Sequence, residues 1–147
     1  MEEDAKFQIG IKALITNEKN EILLLKAGPE EVKFTTKEFW DLPGGRIKIG
    51  RDIEDTLGRE IEEELGISRN QIDILNLFDA VKSNFRASTD ENLFLMLIIY
   101  RCRLLGDKNF RLSREHSEYK WVDVNEAKRL LSIKFGKSFI DKLDKLK

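Results

Sequence analysis

The stretch from Gly44 to Ile67, GGRIKIGRDIEDTLGREIEEELGI, decides how this chain is read, because a glycine-rich turn runs straight into an acid-rich helix. Asp52 stands at an N-cap position, Asp55 three residues on takes the place of a capping-box acid, and Gly66 follows Leu65 as a natural stop. The spacing predicts one helix of about four turns over residues 52–65. At about 100° per residue, Ile53, Leu57, Ile61 and Leu65 share one arc, and Glu60, Glu63 and Glu64 share a second arc beside it.

A solvated acidic face is the plainer reading of those acids in a chain that is 36% charged, against about 25% typically. Such a face would lie opposite the apolar arc, a description to which Glu54, Asp55 and Glu62 come nearer, whereas Glu60, Glu63 and Glu64 crowd the edge of the arc. Like charges three and four apart destabilise a helix by a few tenths of a kcal/mol per pair, and a cation is the simplest neutraliser. Carboxylate oxygens favour Mg²⁺ or Mn²⁺, while one Cys and one His in the whole chain argue against a soft-ligand zinc or iron site. Leu42-Pro43-Gly44-Gly45 has Pro and Gly in the order of a type II turn, where a carbonyl can point at the same metal and glycine lets the backbone approach a ligand. Turn and helix together predict metal-assisted chemistry on a phosphate.

The segment resembles the Nudix box: Gly, five residues, Glu, seven residues, Arg-Glu, an aliphatic residue, any residue, Glu-Glu, any residue, Gly, aliphatic. Gly45, Arg59, Glu60, Ile61, Glu63, Glu64, Gly66 and Ile67 meet it, so eight of the nine specified positions match. Arg51 stands where the first Glu belongs. Phe39-Trp40-Asp41-Leu42-Pro43 is similar to the family's lead-in, and Glu115-His116-Ser117-Glu118-Tyr119-Lys120-Trp121-Val122 to its late loop and strand. The resemblance implies a single Nudix hydrolase domain over residues 1–147, an α/β fold with the Nudix α/β/α sandwich and a central mixed β-sheet.

By position within the box, the resemblance makes Glu60, Glu63 and Glu64 metal ligands, with the Gly44 carbonyl as a backbone ligand. Glu60 is also a candidate to activate water, and Arg59 becomes the guanidinium that orients Glu60. Glu115 occupies a place from which some members supply a further ligand or the general base; the plain alternative is a solvated loop acid. Gly45 and Arg46 are read as substrate-binding, and Lys48 as a further candidate for phosphate charge, although exposed Arg and Lys are commonly just solvated. A lone loop histidine such as His116 is expected to be exposed. Trp40 and Phe78 are candidates to stack on a base, with core packing the commoner fate of such aromatics.

The implied reaction is Mg²⁺- or Mn²⁺-dependent attack of water on a pyrophosphate linkage in a nucleoside di- or triphosphate derivative: a nucleotide, a sugar nucleotide or a dinucleoside polyphosphate. Arg51 replaces an attraction for Arg59 with a repulsion, which Asp52 or Asp55 can relieve, so altered activity is expected sooner than none. The alternative from another class is a degenerate Nudix domain that binds a nucleotide as a sensor or interaction module without hydrolysing it.

The rest of the chain agrees with one domain. Its 147 residues suit a single core, and 41% hydrophobic content with a net charge of -1 carries no bias toward a nucleic acid polymer or a membrane. The longest apolar run, Leu93 to Tyr100, is far short of a membrane span, and Met1 to Phe7 does not read as a signal peptide, so a cytoplasmic address is expected. Family members often pair, which makes a homodimer an expectation of the resemblance. Cys102 has no disulfide partner and reads as a buried, inert thiol.

Strands are expected at Phe7 to Thr16, Glu21 to Lys26, Ile72 to Ala80, Asn92 to Leu105 and Tyr119 to Val122, with Asn17 to Asn20 as a hairpin turn. Helices are expected at Asn125 to Leu131, N-capped by Asn125, and at Lys137 to Leu146. Residues 28–38 are the least regular and read as a mobile loop near the site.

Overall fold

A computed structural model of the chain describes residues 2–27, 38–87, 92–106 and 109–147. The irregular loop expected over 28–38 falls outside them apart from Glu38.

The first strand, β1 (Lys6–Thr16), is the organising element. Its side chains alternate between two cores, because successive residues of a strand point to opposite faces. Ile11, Ala13 and Ile15 belong to one apolar cluster and Leu14 to the other. The next strand, β2 (Ile22–Ala27), does the same, with Leu23 and Leu25 in the first cluster and Ile22 and Leu24 in the second. A strand buried on both faces must be covered on both by other elements.

The turn between these strands is the expected one. Asn17 accepts hydrogen bonds on Oδ1 from the Lys19 and Glu21 amides, and Asn20 takes φ 61°, which asparagine tolerates. Two short strands that periodicity does not reveal follow, β3 (Trp40–Asp41) and β4 (Gly44–Arg46). Gly44 is therefore not the third residue of a type II turn: its φ is 149°, against about 80° for that turn.

The helix read from the sequence is α1 (Ile53–Leu65). Asp52 caps it by accepting from the Asp55 amide, and Gly66 ends it in the left-handed conformation. Leu57, Ile61 and Leu65 are fully buried in the first cluster, so the apolar arc packs on the sheet as its spacing requires.

The remaining strands are β5 (Ile72–Arg86), β6 (Leu93–Leu104) and β7 (His116–Val122). The sheet runs β3-β2-β1-β6-β5, with β4 added to β1 and β7 to β2. Among the described residues, only β1 and β6 pair in parallel, from Lys6 opposite Leu93 to Thr16 opposite Arg103, while the other strand pairs are antiparallel, which makes the sheet mixed. Strand β5 runs six residues past the expected Ala80, through register shifts that carry its charged residues along the sheet edge.

The second cluster is closed by α2 (Val124–Leu131) and α3 (Lys137–Lys142), the latter continuing into a 3-10 turn at Leu143–Leu146. Asp123, not Asn125, caps α2, accepting from the Glu126 amide at 2.8 Å. Ala127, Leu131, Phe135, Phe139 and Leu143 are buried against Leu14, Leu24, Leu97 and Ile99. With α1 on one face and α2 and α3 on the other, the chain is the expected α/β/α sandwich. Among the described residues, no helix is long and apolar enough to cross a membrane.

Candidate active site

A cavity of about 710 Å³ collects residues from α1, from six of the seven strands and from the loops beside them. Gly44, Gly45, Arg46, Glu60, Glu63, Glu64 and Glu115, all singled out in the sequence, line it together. Arg59 does not.

The close fit of β4 against β1 on one side and α1 on the other explains the paired glycines. A Cβ on Gly44 would lie 2.0 Å from the Ile11 carbonyl oxygen, and one on Gly45 would lie 2.4 to 2.6 Å from the carboxyl atoms of Glu60. The Gly44 amide donates to Glu64 Oε2 at 3.1 Å. Flanking bonds from the Ala13 amide to Pro43 O and from the Ile47 amide to Ile9 O set the β1–β4 register. The alternation of an antiparallel ladder then turns Gly44 away from β1 and toward the helix acids.

The helix acids differ in exposure. Glu64 is 2% exposed, Glu60 half-buried and Glu63 exposed. Burial pushes the Glu64 carboxyl well above the usual carboxylate range, with Lys12 and the Gly44 amide opposing and Glu60 and Asp41 adding to the rise. Glu60 is also raised, first by burial and then by the charges of Glu63 and Glu115, against Lys12 and Lys48. Both carboxyls sit where added positive charge is favourable, and oxygen donors of this kind suit a hard divalent cation. Among the described residues, the trio of ligand atoms all within 4.8 Å of one another belongs to Glu64, Glu115 and His116.

Opposite the acids stands a buried ion group that the sequence did not reveal. Asp41 Oδ2 is 3.1 Å from Lys12 Nζ and 2.5 Å from Lys134 Nζ. Burial alone would raise the Asp41 carboxyl, but the two ammonium groups hold it well below the usual carboxylate range. Lys12 also donates to the Leu42 carbonyl at 3.2 Å, which ties β1 to the strand-to-strand corner. Phe39 and Phe85 pack edge-to-face at 4.8 Å and, with Ala87, Leu95 and Leu97, form the apolar part of the lining.

Several expectations change. The guanidinium of Arg59 pairs with Asp55 at 3.5 Å on the exposed side of α1, and among the described residues no ion pair joins it to Glu60. The same Asp55 is 3.3 Å from Arg51, so one acid bridges the two arginines and relieves the repulsion expected between them. His116 is buried, not exposed, and lines the cavity, its imidazole pushed down to about 4 by burial and by Lys12. Phe78 packs edge-on to Phe139 in the core, and Trp40 carries Lys120 over its ring at 4.6 Å; neither lines the cavity. Arg46 does, with its guanidinium donating to the Ala87 carbonyl at 2.6 Å. Cys102 is fully buried, and burial pushes its thiol up to about 12, as an inert core residue requires.

A glycine so close to a carboxylate gives a direct test. Gly45→Ala should displace the Glu60 carboxyl by about an ångström and lower turnover about a hundredfold, with little change in melting temperature. Unchanged turnover would mean that Glu60 can leave this position without consequence.

The NUDIX domain family model matches residues 6–143, and the chain belongs to the Nudix family. It is 28% identical over 126 residues to Nudix hydrolase 5 of Arabidopsis thaliana, covering 84% of this chain and 38% of that protein. Nucleoside triphosphatase NudI of Escherichia fergusonii is 31% identical over 107 residues, 65% of this chain and 75% of that one. Among solved structures, the MutT protein from Methanosarcina mazei superimposes with a TM-score of 0.71 at 26% identity, over 99% of this chain and 96% of that one. The chain spans about two fifths of the length of the Arabidopsis relatives it matches.

Proposed function

We propose that this chain, as one Nudix hydrolase domain over residues 1–147, hydrolyses a pyrophosphate linkage in a nucleoside di- or triphosphate derivative, with Mg²⁺ or Mn²⁺ as cofactor. The observation that carries the reading is the seating of Glu60 and Glu64 against Gly44 and Gly45 within a cavity that also holds Arg46, Lys48, Lys12 and Lys134. Acids gathered on one wall suit a cation, and basic groups around them suit a phosphate chain. The nucleoside triphosphatase among the relatives supports a nucleotide substrate.

Glu60, Glu63, Glu64 and the Gly44 carbonyl would hold the ion. When bound, it would draw charge off phosphate oxygens and acidify the attacking water. The protein's own part is proton transfer and positioning. Glu60 or Glu115 accepts the proton of a water whose oxygen bonds to phosphorus as the bridging P–O bond breaks. The raised Glu60 carboxyl is a better base for that step than an ordinary one. Arg46 and Lys48 meet the remaining phosphate charge. The cytoplasmic address expected from the sequence belongs to the same proposal.

The binding-only alternative rested on Arg51, which lies outside the cavity lining and is paired with Asp55, so nothing at the site favours it. Incubation of the chain with a nucleotide panel and Mg²⁺, with products identified by mass, tests the reading. Release of a nucleoside monophosphate or of inorganic phosphate supports it, and no turnover across the panel in either metal sinks it. Glu115→Gln should lower turnover on the best substrate by about a hundredfold if Glu115 is the base. A loss below about threefold would return it to the solvated acids, given that general-base losses run from about 10² to 10⁴.

A further inference from the structure

His116 opens β7 at 9% exposure, and its Nδ1 is buried without a hydrogen-bond partner. One ring nitrogen lies within 4.8 Å of carboxylate oxygens of both Glu64 and Glu115, on the wall of the cavity. Buried polar atoms of a folded chain are nearly always satisfied, so an imidazole that leaves its buried Nδ1 open and holds a ring nitrogen near two carboxylates points to a ligand that engages the ring. We propose that Glu64, Glu115 and His116 form a mixed oxygen–nitrogen cation site that takes a first-row transition-metal ion in preference to Mg²⁺. This deepens the metal-dependent reading above and shares Glu64 with it.

The chemistry of the donors carries the selectivity. Two carboxylates supply the charge for a dication, and an imidazole is a good ligand for ions from Mn²⁺ to Zn²⁺ but a poor one for Mg²⁺, which keeps to oxygen. Ligands of one such ion, each at about 2.0–2.2 Å, stand about 3–4 Å apart, so a small movement of the exposed Glu115 closes the trio. The Gly44 amide fixes Glu64 through Oε2 and so orients the carboxyl. Lys12, whose charge reaches both Glu64 and His116, is matched by Asp41 at 3.1 Å.

The test uses the metal-free full chain, Mn²⁺ as the probe, and pulsed electron paramagnetic resonance with and without ¹⁵N-histidine labelling. The chain has one histidine, so a nitrogen modulation that changes with the label identifies His116 as a ligand. By calorimetry, Mn²⁺ should bind at least about tenfold more tightly than Mg²⁺, and His116→Gln should bring the two within about threefold. Mn²⁺ bound without histidine modulation overturns the inference and leaves the oxygen-ligand site standing. No Mn²⁺ binding overturns both. The wild-type spectrum decides the matter even where the variant fails to fold.

Discussion

Glu64→Gln lowers turnover of the best nucleotide substrate by about a thousandfold and at the same time raises the melting temperature of the metal-free protein. The first effect follows from the loss of a buried carboxylate at the place where a cation is to be held. Such an ion contributes several kcal/mol to the transition state, and each 1.36 kcal/mol is about tenfold in rate. The second effect follows from the direction of the Glu64 shift. Its folded-state value lies well above the ordinary 4.5, so the metal-free fold loses stability as pH rises from 4.5 through the raised value, while a neutral Gln is indifferent. Gln also keeps an oxygen to accept from the Gly44 amide. Calorimetry and thermal melts separate the two effects: equal Mg²⁺ affinity in wild type and variant would remove Glu64 from the metal site, and a lower melting temperature would assign it to the fold. Glu63→Gln, on the exposed side, should leave the metal-free melting temperature unchanged.

Asp41→Asn destabilises the fold by about 3–5 kcal/mol, because it removes the anion that two buried ammonium groups share. The same residue sets part of the acid limb of stability. A carboxyl whose folded value is depressed contributes stability that is fully present above its unfolded value of 3.8 and is lost as pH falls from there through the folded value. Urea unfolding of wild type should therefore show stability falling below about pH 4, and the Asn variant should lack that component. A variant within about 1 kcal/mol of wild type at neutral pH would show that the two lysines need no anion between them.

The parts of this molecule that could be read from the sequence are those with local signatures. Helix α1 announces itself through Asp52, Gly66 and a four-residue apolar stripe, and the edge position of Glu60 and Glu64 follows from the same wheel. Strands β3 and β4 are too short to show a period, and their positions depend on β1 and β2. The Lys12–Asp41–Lys134 group as such was not legible, since its two lysines are 29 and 93 residues from Asp41 in sequence. Of these, Lys12 left a trace: it interrupts the otherwise apolar run Ile9 to Ile15 of a strand buried on both faces. His116 was misjudged for a similar reason, because nothing local to Ser113–Ser117 says that the cavity lies behind it. Asn125 lost the cap to Asp123, whose carboxylate sits two residues earlier where the chain leaves β7.

The parallel pairing of β1 with β6 has a consequence for how the chain reaches its native state. The two strands at the centre of the sheet are separated by more than half the sequence, and everything between them must be accommodated before they meet. Contacts of that separation slow folding, since loop-closure entropy is lost before the pairing rewards it. The cavity inherits this lateness: Lys12 and Glu64 come from the first half of the chain, Glu115, His116 and Lys134 from its last third. A nascent chain that has emerged only through α1 holds the acidic helix, Lys12 and Asp41 but not Glu115, His116 or Lys134, so the cavity is completed only when those later residues join it and not gradually along the chain.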